Sequence, residues 1–252
     1  MKKNALNIIM LIISALIITL SLVFKEHLVS FLTYLLLIIG SLIFVFSVLL
    51  LFKRDLNIKQ ISMIALQSSI TIILYFFLKI NLPFFPGWLD IQVSEIPAII
   101  TSFIYGPYAG ALIILIRFIF KLPGSITAGV GEFADLLLGL TLVLISGIIY
   151  KRNRTLKGAI KGMALGIIGS TVLACLLNYL VLIPAYIYIA GFSKEVLVKS
   201  LSYISFVNES NFMLCYIFIG VLPFNIFRYI IVFALTFILY KKTHLLIEKI
   251  TK

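Results

Sequence analysis

The sequence is short of charge. Only 12% of its 252 residues are Asp, Glu, Lys or Arg, whereas 62% are hydrophobic. Soluble globular domains carry about 25% charged residues, so this composition excludes that class. Acids are the scarcest charged type, with nine Asp and Glu against 21 Lys and Arg. The chain is therefore expected to be an all-α integral membrane protein.

Several motifs of enzyme chemistry are also missing. No G-x-x-x-x-G-K-[ST] loop is present to hold nucleotide phosphates, and neither H-E-x-x-H nor a nucleophile elbow occurs. The two cysteines have no spacing typical of a metal site or a disulfide framework. We expect a protein that is not an enzyme and has no cofactor or metal. Energy for uphill transport would come from a partner or an ion gradient.

Long uncharged runs are abundant. Residues 4–24, 27–52 and 60–78 each lack charge, and each is long enough for a membrane-spanning helix of about 20 residues. Further apolar runs cover 96–120, 133–150, 158–183 and 212–240.

Basic residues orient these runs. Short cytoplasmic loops collect Lys and Arg, so the basic clusters should lie on one side. They do so only if 96–120 crosses an even number of times, which predicts a helical hairpin turning at 105–109. This gives eight spans with both termini cytoplasmic, and the net charge of +12 then sits in short loops that offer nucleic acid no basic face. The clusters are Lys2/Lys3, Lys53/Arg54/Lys59, Lys151/Arg152/Arg154/Lys157/Lys161 and Lys241/Lys242/Lys249/Lys252.

Two parts of the chain differ in polarity. Residues 1–57 form a predicted N-terminal transmembrane hairpin with almost no polar content, so we expect it to anchor or pack. Residues 58–252 form a predicted six-helix domain that contains the polar residues. An ionised side chain inside a bilayer costs several kcal/mol unless it is paired, so it marks a candidate functional site.

Four acids lie in or beside the apolar runs: Asp90, Glu95, Glu132 and Asp135. Arg228 lies deep in the last predicted span and needs a counter-ion. Glu132 and Asp135 are the expected choices, because both are predicted at a similar depth. An ion pair that only joins two helices is the alternative to a ligand site.

Polar and small residues mark further positions. Asn225 and Arg228 are three apart and share a helix face, while Asn178 ends a run of small residues repeated every four positions from Gly158. Such runs let helices approach closely in a membrane. Ala65 and Ser69 have the same spacing and could pack inside the protein or dock a partner.

Five motifs stand out: D-I-Q-V-S-E-I-P-A at 90–98, G-P-Y-A-G at 106–110, G-E-F-A-D at 131–135, L-N-Y-L-V-L-I-P at 177–184 and P-F-N-I-F-R at 223–228. Together they resemble the substrate-binding S component of energy-coupling factor vitamin transporters, and most closely the riboflavin-specific branch. Two positions depart from the family pattern, which usually has Lys at 228 and often Asn at 135. These two differences leave open the alternative that the ligand is a phosphorylated or otherwise modified flavin.

The resemblance implies a six-helix fold in the cell membrane that binds riboflavin near its outer face. It also implies a transmembrane coupling subunit, docked at Ala65 and Ser69, and two cytosolic ATPases as partners. The substrate contacts that it implies are Trp88, Leu89, Asp90, Glu132, Asp135, Asn178, Asn225 and Arg228.

The sequence leaves three alternatives open for the function of the protein. The transported vitamin could be folate, pantothenate or a thiamine precursor instead of riboflavin. The chain could be a membrane assembly protein whose buried charges only join helices. It could also be an ion-coupled carrier that works alone, although no inverted repeat with two broken helices supports that class.

Overall fold

The structure is a computed structural model and is almost entirely helical. The helices are α1 (Lys2–Val23), α2 (Ser30–Leu51), α3 (Ile58–Phe77), α4 (Ile96–Tyr105), α5 (Pro107–Lys121), α6 (Val130–Arg152), α7 (Leu156–Leu177), α8 (Ile183–Tyr188), α9 (Lys194–Lys199), α10 (Phe212–Cys215) and α11 (Leu222–Thr251). The residues described are 2–23, 30–51, 55–83, 85–87, 89–125, 127, 129–188, 191–201, 204 and 206–251.

Five described helices are long and apolar enough to cross a membrane. They are Ile58–Phe77, Pro107–Gly124, Val130–Arg152, Leu156–Tyr188 and Phe212–Lys242. Helix α4 has only ten residues, or about 15 Å of rise against a hydrocarbon core of about 30 Å. The count of eight spans therefore stays a prediction.

Helices α4 and α5 form the antiparallel hairpin predicted for 96–120. Gly106 separates them with a φ of 97°, a left-handed conformation that suits glycine, and Pro107 begins α5. Gly110 lies so close to α4 that a Cβ there would stand 2.5 Å from the Ala98 carbonyl oxygen. The turn falls inside the predicted 105–109 segment.

Helix α7 packs against α6 through its small residues. A Cβ at Gly162 would lie 2.7 Å from the Ser146 carbonyl oxygen, and one at Gly166 would lie 2.9 Å from that of Leu142. The Ser170 hydroxyl donates to the Leu138 carbonyl at 3.1 Å. These contacts confirm the predicted close approach, because each small residue lets one backbone reach the other.

Two long helices contain wide turns. Asn178–Leu182 is a π-helical segment that joins α7 to α8, and Tyr216–Val221 is another that joins α10 to α11. Such π-helical turns are rare in proteins as a whole, and those that do occur are often found at functional sites. Asn178 begins the first wide turn, and Asn225 follows the second by four residues.

A short antiparallel hairpin lies between α3 and α4. Strand β1 (Lys79–Asn81) pairs with β2 (Asp90–Gln92), so that Lys79 faces Gln92 and Asn81 faces Asp90. The Asn81 side chain donates to the Gly87 carbonyl at 3.1 Å. This hydrogen bond therefore holds Gly87 close to the end of β1.

Helices α1 and α2 pack mainly against each other, and α2 approaches the other helices chiefly at α8. The main apolar core is formed instead by α3 to α7 and α11, with Ile99, Ile113, Leu142 and Tyr229 almost completely buried. The predicted division of the chain at residue 57 stays a prediction.

Candidate functional site

A cavity of about 200 Å³ lies beneath the β-hairpin and between α5, α6, the α7–α8 helix and α11. Polar and apolar side chains both line it, with Leu138, Leu182 and Phe224 among the apolar ones. Ligand sites are usually such concave pockets with a few well-placed polar groups. The predicted site residues on its wall are Leu89, Asp90, Glu132, Asp135, Asn178, Asn225 and Arg228.

A cluster of five charged side chains forms one side of this cavity and the layer behind it. All five members are at least nine-tenths buried. Three helices and the residue before a fourth supply them: Glu95 precedes α4, Arg117 and Lys121 lie on α5, Asp135 on α6 and Arg228 on α11. We call these five residues the charge cluster. Its three cations surround two carboxylates.

Asp135 is the centre of the charge cluster. Its Oδ1 accepts from Arg228 Nη2 at 3.0 Å, and its Oδ2 lies 3.2 Å from Arg117 Nη2. Lys121 Nζ also donates to Oδ2. One carboxylate therefore contacts three cations and offsets part of the cost of burying them.

Glu95 is the second carboxylate of the cluster. Its Oε1 accepts from Arg228 Nη2 and lies 3.3 Å from Arg117 Nη1. Arg117 also donates to the Ser94 hydroxyl at 2.6 Å. Because Arg117 contacts both carboxylates and does not line the cavity, it acts as a support behind the wall.

Arg228 was expected to pair with Glu132 or Asp135, and the structure selects Asp135 together with Glu95. Glu132 instead accepts hydrogen bonds from the Ser125 hydroxyl and, at 3.1 Å, from the Thr127 hydroxyl. Thr127 in turn accepts from the Gly131 amide at 2.9 Å. Glu132 thus ties the start of α6 to the loop before it, at the edge of the cavity.

Asn178 and Asn225 are buried amides on neighbouring helices, 5% and 3% exposed. Each donates through Nδ2 to the backbone carbonyl four residues earlier, Asn178 to Ala174 and Asn225 to Val221, both at 2.8 Å. An amide has a second N–H and an acceptor oxygen besides. Both side chains can therefore offer hydrogen bonds to a ligand.

Gly87 and Leu89, between the two strands, line the cavity from the β-hairpin side. The Leu89 amide donates to the Pro86 carbonyl at 2.8 Å, which closes a tight turn. Phe85 packs edge-on against Phe224 of α11, with ring centroids 5.3 Å apart. Trp88, the remaining predicted site residue, lies outside the described residues.

Sequence reasoning left several wall residues out of the site. Tyr75, Lys79, Gln92 and Lys121 line the cavity, while Glu95 and Arg117 complete the charge cluster behind it. Glu95 was one of the four acids singled out from the sequence but was not placed in the site, and Arg117 carried a similar signal because an arginine inside an apolar run needs a partner. Nothing in helical periodicity shows that Lys79 and Lys121 would both lie 4.1 Å over the Tyr75 ring.

Ala65 and Ser69 lie away from the cavity, exposed on the outer face of α3. The Ser69 hydroxyl donates to the Ala65 carbonyl of its own helix at 3.1 Å, so its hydrogen needs no acceptor on another helix. The pair was predicted either to pack inside the protein or to dock a partner. Because both residues are exposed, packing inside the protein is wrong, and docking of a partner stays a prediction.

Comparison with known proteins identifies the class that this fold and cavity define. Residues 59–240 match the family described as "ECF transporter, substrate-specific component". The chain therefore belongs to this family of membrane transport components, and the family is not one of enzymes.

Individual relatives agree with this assignment. Riboflavin transporter RibU of Staphylococcus aureus is 29% identical over 193 residues, which cover 75% of this chain and 94% of the relative. Riboflavin transporter FmnP of Bacillus subtilis is 29% identical over 194 residues, covering 73% and 92%. A solved structure described as "Structure and mechanism of the S component of a bacterial ECF transporter" matches with a TM-score of 0.58 and 28% identity, covering 74% of this chain and 95% of that one.

Proposed function

We propose that this protein captures riboflavin from outside the cell with high affinity, as the membrane-embedded substrate-binding subunit of an ATP-driven energy-coupling factor transporter. The observation that carries the proposal is the convergence of Asn178, Asn225, Asp135 and Arg228 on one cavity. The riboflavin transporters among its relatives support the choice of vitamin.

The cavity suits a flavin because it combines amides with apolar cover. The pyrimidine edge of the isoalloxazine ring alternates donors and acceptors, and Asn178 and Asn225 can match both. Phe224 and Leu138 on the wall offer apolar surface to the flat ring. The remaining proposed contacts are Trp88, Leu89, Asp90 and Glu132.

The proposal includes partners that supply the energy. The sequence lacks a phosphate-binding loop, so two cytosolic ATPases and a transmembrane coupling subunit would drive transport. The exposed pair Ala65 and Ser69 on α3 would contact the coupling subunit, since small residues let helices approach closely in lipid. Eight spans with cytoplasmic termini in the cell membrane complete the proposal.

Purification of the protein in detergent tests the choice of vitamin. A bound flavin gives an absorption band at about 450 nm, which comes from the isoalloxazine ring itself and not from protein groups. Extraction and mass analysis then separate riboflavin from flavin mononucleotide. Recovery of folate, pantothenate or a thiamine precursor instead would contradict the riboflavin assignment while keeping the transporter class.

A variant separates ligand binding from a purely structural role. Asn225→Leu removes an amide from the cavity wall, and we expect riboflavin affinity to fall at least about tenfold because a ligand group loses its partner. Asn7→Leu is the matched control, since Asn7 is a buried amide on α1. An assembly protein with no ligand would show no difference between the two variants in flavin uptake.

A further inference from the structure

Gln92 is a buried amide that belongs neither to the charge cluster nor to the wide helical turns. It lies on β2, is 7% exposed and lines the cavity. Its Oε1 has no hydrogen-bond partner among the residues that the structure describes. Buried side-chain oxygens are rarely left unpaired, because a group removed from water without a new partner lowers stability. Gln92 therefore points to a donor supplied by a ligand.

Asp90 repeats this feature two residues earlier on the same strand. Its Oδ1 is also buried and lacks a partner within the described part of the chain, and Asp90 lines the cavity as well. Residues two apart on a strand point to the same face. The strand therefore presents two acceptor oxygens side by side.

The cation opposite Gln92 across the strand pair is directed elsewhere. Lys79 faces Gln92 in the register, yet its Nζ donates to the Tyr75 hydroxyl at 3.0 Å and lies 4.1 Å over the Tyr75 ring. Lys121 donates to Asp135 instead. Because the local cations have other partners, the acceptors of β2 remain for donors on the ligand.

We propose that Gln92, together with Asp90, accepts hydrogen bonds from the hydroxyl groups of the ligand's polyol chain, so that Gln92 determines specificity for that chain. The proposal rests on the proposed function and deepens it, since riboflavin carries such a chain as its ribityl group. Two side chains on one strand face stand about 6.6 Å apart. That spacing suits separate hydroxyls on a flexible chain better than neighbouring atoms of a ring edge.

The proposal divides the ligand between two parts of the cavity. Asn178 and Asn225, on the long helices, take the ring edge, and β2 takes the chain. A change at Gln92 should then affect only ligands that have the chain. Riboflavin and lumiflavin provide the comparison, because lumiflavin keeps the isoalloxazine ring and replaces the ribityl chain with a methyl group.

The experiment measures the Kd of each flavin for the purified full-length protein by quenching of flavin fluorescence. For Gln92→Leu we expect the Kd for riboflavin to rise about tenfold, because hydroxyl donors lose an acceptor, while the Kd for lumiflavin changes by less than about twofold. Gln67→Leu is the matched control, since Gln67 lies on α3 outside the cavity, and it should leave both values unchanged.

Each outcome decides the proposal. A selective loss of riboflavin affinity supports it, whereas equal changes for the two flavins, or no change for either, overturn it and leave the proposed function standing. If Gln92→Leu binds neither flavin, Gln92→Met, which keeps the length of the side chain, is judged by the same ratio of Kd values. If the wild-type protein binds no flavin at all, the proposed function fails and this inference fails with it.

Discussion

Arg228 and Asp135 lie 93 positions apart in sequence and meet at 3.0 Å between Nη2 and Oδ1. The same nitrogen contacts Glu95, so one guanidinium joins α11 to α6 and to the start of α4. All three residues are at least nine-tenths buried. Their contacts therefore form in low dielectric, where each charge depends on its partners for stabilisation more than on water.

Arg228→Met should destabilise the protein by about 1–3 kcal/mol, because two buried carboxylates each lose a charge-assisted hydrogen bond while Arg117 still contacts both. We expect this change in unfolding experiments in detergent, together with loss of flavin binding. Arg152→Met is the control, since Arg152 is an exposed cation at the end of α6, and it should have little effect on either measurement.

Glu95→Gln tests whether the effect depends on pairing. Combined with Arg228→Met it removes both members of one contact, so the double variant should be more stable than the sum of the single effects predicts, by about 1–3 kcal/mol. Strict additivity of the two changes would show that Glu95 and Arg228 do not interact in the protein.

Gly110→Ala should disrupt the packing of the α4–α5 hairpin. The added methyl would stand 2.5 Å from the Ala98 carbonyl oxygen and 2.6 Å from Val143 Cγ1, and such overpacking costs about 1–3 kcal/mol. Gly220→Ala is the control, because its methyl would meet Tyr216 no closer than 3.7 Å. A lower Tm for Gly110→Ala alone is the expected result, and equal Tm values would refute the close approach.

Ala65→Trp should block coupling without affecting the cavity. The large ring would prevent close approach of a partner helix to the exposed face of α3, so ATP-dependent uptake in vesicles should fall by about tenfold or more if docking occurs there. Flavin binding to the isolated protein should stay unchanged. Ile70→Trp is the control, because Ile70 is also exposed on α3 and points about 140° away from Ala65 around the helix axis. Similar uptake by both variants would rule out the proposed docking face.

Removal of residues 1–57 should leave flavin affinity within about threefold of the full chain, a change of less than 1 kcal/mol. The described residues that line the cavity run from Tyr75 to Arg228, and α1 and α2 pack mainly against each other. A shortened chain that folds, as judged by a cooperative melting transition, but binds flavin weakly would show that the N-terminal hairpin contributes to the site.

The helical organisation was largely predictable from sequence. Placing all the basic clusters on one side of the membrane required a hairpin within 96–120, and Gly106 with Pro107 provided the turn. The glycines of α7 predicted close packing, which Gly162 and Gly166 make against α6. Both predictions succeed because they depend on local features, namely a chain reversal and a repeat along one helix.

The partners within the charge cluster were less predictable. Arg228 clearly needed a carboxylate, but sequence depth alone favoured Glu132 and Asp135 equally and did not suggest Glu95. Glu132 is instead held by Ser125 and Thr127, in the loop just before its own helix. The choice depends on the rotation of each helix about its axis, and the wide turn at Tyr216–Val221 changes that rotation in a way that periodicity does not reveal.

The buried charges also limit how the protein can open. Any motion that pulled α4, α5, α6 and α11 apart would separate oppositely charged groups in an apolar interior, where a buried charge that loses its partner costs several kcal/mol. The described residues between β1 and β2 are held by neutral contacts, including the hydrogen bond from Asn81 to Gly87 and the packing of Phe85 against Phe224. We therefore expect the four helices to keep their relative positions when a ligand enters the cavity.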